Sequence, residues 1–101
     1  MDTKVSRTLR INLNAVKRLI REHSSYESEL SEAQAQISQS TFEPGTSEYK
    51  RLLDIRGEAE QMVQDCSRRL EEFMGKLRAS LNEAAAFPED PLVVEARAII
   101  Q

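Results

Sequence analysis

Tryptophan is absent from the 101-residue chain, and aromatic residues make up only 5% of it. There is one cysteine, Cys66, and one histidine, His23. A single thiol cannot close a disulfide within the chain, and one His with one Cys cannot furnish a His/Cys metal site of three or more ligands. No run of about 18 apolar residues occurs, so no segment is expected to span a membrane. The first residues, Met1-Asp2-Thr3-Lys4, lack an apolar signal core, and the expected location is therefore the cytoplasm. Only three Gly and three Pro interrupt the chain. A sequence of this length and composition reads as one mostly helical domain over 1–101. A fold this small buries roughly two-thirds of its unfolded surface, enough for one modest core. It is too small for a cofactor-plus-substrate architecture.

Charge is present in quantity but unevenly spread. The net charge is −3 with 31% charged residues. Residues 1–21 hold Lys4, Arg7, Arg10, Lys17, Arg18 and Arg21 against Asp2 alone, so the remainder of the chain is strongly acidic. Such a basic end is either a solvated helix face or a surface that meets an acidic partner. A nucleic-acid-binding arm is disfavoured by the absence of interleaved aromatics and by the sequence pI of 5.2.

Gly and Pro fall at Pro44-Gly45 and at Pro88 and Pro91, which parses the chain into three helices. Helix 1 is expected over about 3–40, with a heptad seam of Val5, Leu9, Val16, Leu19, Tyr26, Leu30, Ala33 and Ile37. Helix 2 is expected over about 47–84, with Tyr49, Leu52, Ala59, Val63, Cys66, Leu70, Phe73, Leu77 and Ala84. Asn12, His23, Arg56 and Ser80 occupy the remaining seam positions. An apolar seam sustained over five heptads predicts helices packed at shallow angles. Leu13, Ile20, Leu53, Met62, Met74 and Leu81 widen each stripe, which suits contact with two neighbours. Helix 3, about 91–101, has Asp90 as an N-cap and Pro91 at its first position. It is too short to stand alone and must lie on the other two. The expected fold class is therefore all-α: an antiparallel three-helix bundle of two long helices and one short C-terminal helix, with coiled-coil-like packing. The alternation Leu9-Arg10-Ile11-Asn12-Leu13 leaves open an extended arm, with helix 1 starting at Asn12 or Asn14. Either way this segment is expected beside the second half of helix 2 and helix 3. Phe42, in the loop between the long helices, is expected to cap the end of the core.

The search for catalytic chemistry is empty. His23 lies at a seam position with no recognised constellation around it. Cys66, between Val63 and Leu70, reads as a buried small hydrophobe. Glu27, Glu29, Glu32, Glu58, Glu60, Glu71 and Glu72 are expected on outer faces, with no cleft to separate their pKa values. There is no Gly-rich phosphate loop and no nucleophile elbow. The chain is not expected to be an enzyme, and a thin helical bundle offers long faces for recognition.

Four stretches carry a resemblance. Ala15-Val16-Lys17-Arg18-Leu19-Ile20-Arg21-Glu22, followed by Tyr26-Glu27-Ser28-Glu29, resembles the first helix of the tubulin-binding cofactor A (tubulin-specific chaperone A) family, with its VKRL core and YEKE-like run. Asp65-Cys66-Ser67-Arg68-Arg69-Leu70-Glu71 resembles that family's DCQRRLE segment. Val94-Glu95-Ala96-Arg97-Ala98-Ile99-Ile100 is similar to its EARxxL stretch, and Arg7-Thr8-Leu9-Arg10-Ile11 to its RQIKIK arm. The four keep the family's order and span nearly the whole chain.

The resemblance implies a slender three-helix bundle that captures quasi-native β-tubulin after release from the cytosolic chaperonin. It would then pass it to other tubulin-folding cofactors for αβ-heterodimer assembly. It implies no nucleotide, no metal and no membrane, and a cytoskeleton-associated role. Residues that match the family segments and form a candidate β-tubulin-binding face are Lys17, Arg18, Arg21, Tyr26, Glu27, Arg68, Arg69 and Glu71. Tyr26 alone falls on the seam and reads as core in preference to a contact residue. Because tubulin is acidic, Lys17, Arg18 and Arg21 suit a steering patch.

The sequence departs from the family at His23, where relatives have Lys, and at Ser24, Ser25 and Ser28, where they are Lys-rich. Gln64 replaces a common proline, and the sequence stops soon after Ile100 where relatives continue. A coiled-coil adaptor that dimerises without binding tubulin is the alternative reading, and self-association of two copies stays open under both.

Overall fold

A computed structural model describes residues 1–101 as three α-helices without strands: α1 (Thr3–Gln39), α2 (Ser47–Glu83) and α3 (Pro91–Ile100). The first segment is helical from its start. The Asp2 carboxylate accepts from the Lys4 amide at 3.3 Å, and the Asp2 carbonyl accepts from the Ser6 amide at 2.9 Å. Asp2 thus caps orphan donors that would otherwise fray the first turn. Burial confirms the period. Leu9, Leu13 and Val16 are buried, whereas Ile11 is 59% exposed. An extended arm would have placed Leu9, Ile11 and Leu13 on one face.

α1 and α2 are joined by a turn whose chemistry is local. Gly45 has φ +92, and the Thr46 amide donates to the Glu43 carbonyl at 3.2 Å. Pro44 at the second position and a positive-φ glycine at the third define a type II turn. Thr46 then caps α2, its hydroxyl accepting from the Tyr49 amide at 3.3 Å and donating to the Glu43 carbonyl at 2.7 Å. At the other junction, the Asp90 carboxylate accepts from the Leu92 amide at 2.9 Å and Pro91 occupies the first turn of α3.

The chain forms two compact units. The first comprises Met1–Ile20 and Arg68–Gln101 and contains parts of all three helices. Its core is Leu9, Leu13 and Val16 of α1, Leu77 and, just past the end of α2, Ala84, together with Val93 and Ala96 of α3. Leu70, Phe73, Met74, Leu81, Leu92 and Ile99 pack around that cluster. Here the widened stripes find their two neighbours: Leu13 is buried, and Met74 and Leu81 lie half-buried. α3 has an apolar face and too few turns to persist alone, so this packing is what holds it.

The second unit, Arg21–Ser67, contains only α1, the turn and α2. Ala33, Ala59 and Cys66 are buried, and Tyr26, Leu30, Leu52 and Val63 are half-buried. Two helices cannot enclose a third row of side chains. Met62, expected to widen a stripe toward a second neighbour, is accordingly 41% exposed, and Ile55 is 39% exposed. Ile20, at the edge of the first unit, is likewise exposed. Phe42 does not cap a core: it is 48% exposed. The type II turn reverses the chain at Pro44-Gly45, while the Phe42 amide donates to the Ser40 hydroxyl at 3.0 Å, and the side chain is left about half exposed.

Candidate functional site

The polar residues that interrupt the seams are satisfied from within. In the first unit the Asn12 amide nitrogen donates to the Ser80 hydroxyl at 2.7 Å, and Ser80 donates to the Lys76 carbonyl at 3.1 Å. In the second, His23 Nε2 lies 2.7 Å from the Ser67 hydroxyl and Nδ1 lies 2.9 Å from a Glu27 carboxylate oxygen. Arg56 reaches Glu60 at 3.6 Å. No buried side-chain nitrogen or oxygen lacks a partner. His23 is thereby a structural hydrogen-bonding residue between two helices, and Cys66 is buried. No cluster of His, Cys, Asp and Glu could hold a metal ion. No helix is long and apolar enough to cross a membrane.

Of the residues singled out from sequence, Lys17, Arg18, Arg68, Arg69 and Glu71 belong to the first unit, and Arg21, Tyr26 and Glu27 to the second. Lys17 is not an open cation. Its ammonium contacts Glu95 of α3 at 2.7 Å, with both side chains partly exposed. Arg18, Arg68, Arg69 and Glu71 are exposed. In the second unit Arg21 is exposed, Glu27 is exposed and engaged with His23, and Tyr26 is half-buried among the seam residues. The structure therefore presents these charges outward and keeps Tyr26 in the packing.

The units differ in electrostatic character. The first carries ten basic and seven acidic side chains, the second four basic and ten acidic. The first unit is thus net basic and the second net acidic. Charged surfaces recognise partners by charge and by exposed apolar groups.

Comparison with known proteins identifies the lineage. The sequence profile described as "Tubulin binding cofactor A" matches residues 4–100. The chain belongs to the tubulin-binding cofactor A family. Within that family it is 32% identical over 95 residues to the tubulin-specific chaperone A of Rattus norvegicus, covering 93% of this chain and 88% of that protein. It is 33% identical over 79 residues to the tubulin-folding cofactor A of Arabidopsis thaliana, covering 76% and 69%. Among solved structures, the human tubulin chaperone cofactor A superposes with a TM-score of 0.82 at 29% identity, over 95% of this chain and 94% of that one. The tubulin folding cofactor A structure from Arabidopsis thaliana gives 0.85 at 26% identity, over 98% and 94%. This cofactor A chain therefore shares the three-helix fold of its relatives. Sequence inspection did not single out Ile55, although it lies one heptad before the flagged Met62 and shares its helical face.

Proposed function

We propose that the chain is a tubulin-folding cofactor that captures quasi-native β-tubulin after chaperonin release. It holds that subunit and passes it to other tubulin-folding cofactors for assembly with α-tubulin. The reading rests on the family match, which runs over residues 4–100. The physical case is that an assembly intermediate exposes surface destined for burial. A set of helices with outward charge and scattered apolar groups can cover such surface reversibly, without chemistry and without nucleotide or metal. The protein acts on this reading as a cytoplasmic, non-enzymatic chaperone. Its β-tubulin contacts are drawn from Lys17, Arg18, Arg21, Arg68, Arg69, Glu71 and Glu27, with Tyr26 supporting them from the packed seam. Lys17, Arg18 and Arg21 supply the attraction toward an acidic partner, which raises the encounter rate more than the final affinity.

The test is co-elution of the purified chain with freshly released β-tubulin on a sizing column, with α-tubulin as the control. A complex with β-tubulin alone is the expected result. A folded, helical chain that forms no such complex would sink the reading.

A further inference from the structure

The second unit holds an open groove of about 310 Å³ that the proposed tubulin contacts do not use. Its floor is apolar: Ala33 of α1 and Ala59 of α2 are buried at the helix contact, and their small side chains leave a depression between the backbones. Ile55 and Met62, one heptad apart on α2, line it while remaining 39% and 41% exposed. Around that floor stand Glu29, Glu32 and Glu58, all exposed. Glu27, Glu60, Glu72 and Glu95 each have a basic partner, but these three carboxylates make no ion pair or side-chain hydrogen bond. They lie in a unit with six more acidic than basic side chains.

Exposed large apolar side chains ringed by uncompensated charge are the anatomy of a docking site: an apolar centre with a polar rim. The charge selects the occupant. We propose that this groove docks a short basic amphipathic segment of a partner protein, one that lays an apolar side chain over Ala33 and Ala59 against Ile55 and Met62. Lys or Arg side chains of that segment meet Glu29, Glu32 and Glu58. Helix-in-groove recognition uses this pattern of apolar anchors at three- and four-residue spacing. Charge argues for a basic segment over a second copy of this chain: a self-complementary contact through this groove would set Glu29, Glu32 and Glu58 of one copy against the same residues of the other. The site is independent of the tubulin reading and needs none of the basic residues invoked there.

A synthetic helical peptide with leucines at three- and four-residue spacing among lysines serves as the probe. A scrambled peptide of the same composition, with no apolar stripe, is the control. Titration into ¹⁵N-labelled full-length protein is expected to shift amides within residues 29–36 and 55–62, and the patterned peptide should bind about tenfold more tightly than the scrambled one. The double variant Glu32→Gln/Glu58→Gln should weaken the patterned peptide about tenfold at low salt. Met62→Ser should abolish the preference for the patterned peptide, with helicity unchanged by circular dichroism in both variants. Equal binding of the two peptides, shifts centred elsewhere, or no binding by the folded protein would overturn the proposal. So would a sedimenting dimer that Met62→Ser dissociates, because the groove would then be a self-contact.

Discussion

Asn12 of α1 and Ser80 of α2 meet through a 2.7 Å side-chain hydrogen bond inside the otherwise apolar seam of the first unit. Ser80 is only 4% exposed, yet its hydroxyl both accepts from Asn12 and donates to the Lys76 carbonyl. A buried polar pair of this kind gains little over water but is costly to leave half-made. It therefore selects register: sliding α1 along α2 would set the Asn12 amide against aliphatic side chains and leave the Ser80 hydroxyl only the Lys76 carbonyl of its own helix.

Asn12→Ala is accordingly expected to destabilise the protein by about 1–3 kcal/mol, because Ser80 loses its donor in a buried site. The double variant Asn12→Leu/Ser80→Ala removes both polar groups and should recover most of that loss. Urea unfolding followed by circular dichroism measures both. A double variant no more stable than Asn12→Ala would show that the pair is not the origin of the penalty.

Leu77, fully buried among the residues contributed by all three helices of the first unit, should be the most sensitive kind of position. Leu77→Ala is expected to cost about 2–5 kcal/mol. Ile55→Ala, on an exposed face of the second unit, should cost under about 1 kcal/mol by the same measurement.

Three glycines separate by conformation. Gly57 and Gly75 lie within α2 with nothing within 4 Å of an added Cβ, so Gly57→Ala and Gly75→Ala should each stabilise by about 1 kcal/mol. Gly45 has φ +92, and Gly45→Ala should instead destabilise by about 1–2 kcal/mol despite the open space around it. Thermal melts of the three single variants would reveal the opposite signs.

Charge reversal tests the proposed tubulin contacts. Lys17→Glu with Arg18→Glu is expected to weaken β-tubulin capture at physiological salt while the helices stay folded. The same change breaks the Lys17–Glu95 pair, a partly exposed contact worth at most about 1 kcal/mol. Glu95→Gln controls for that loss and should leave capture intact. Undiminished capture by the charge-reversed protein would remove these two residues from the binding surface.

Helix positions were legible because their signals are local. Asp90 before Pro91, and Pro44-Gly45 between two long heptad runs, act through neighbouring backbone groups and so read directly from order in the chain. Asn12, His23 and Ser80 were visible as polar breaks in the seam, but the pairing of Asn12 with Ser80, 68 residues away, and of His23 with Ser67, 44 residues away, was not. Glu72 and Lys76, four residues apart on α2, pair at 3.5 Å, a contact that depends on local spacing alone. Phe42 misled because an aromatic ring near a turn carries no statement about where the turn points it. The engagement of Lys17 by Glu95 was likewise invisible, since α3 had to be docked before the two could meet.

The periodicity of apolar residues, the turn chemistry and the caps were sufficient to determine three helices and an antiparallel hairpin, and the order of four short stretches was sufficient to indicate the family. Which widened stripe would be covered was decided by tertiary structure alone. In the first unit, where α3 joins the core, Leu13 is buried and Met74 and Leu81 are half-buried; α3 has no counterpart in the second, where Ile55 and Met62 stay exposed. A heptad pattern records that a side chain faces a neighbour, but whether a neighbour arrives depends on chain length and docking, which are properties of the whole molecule.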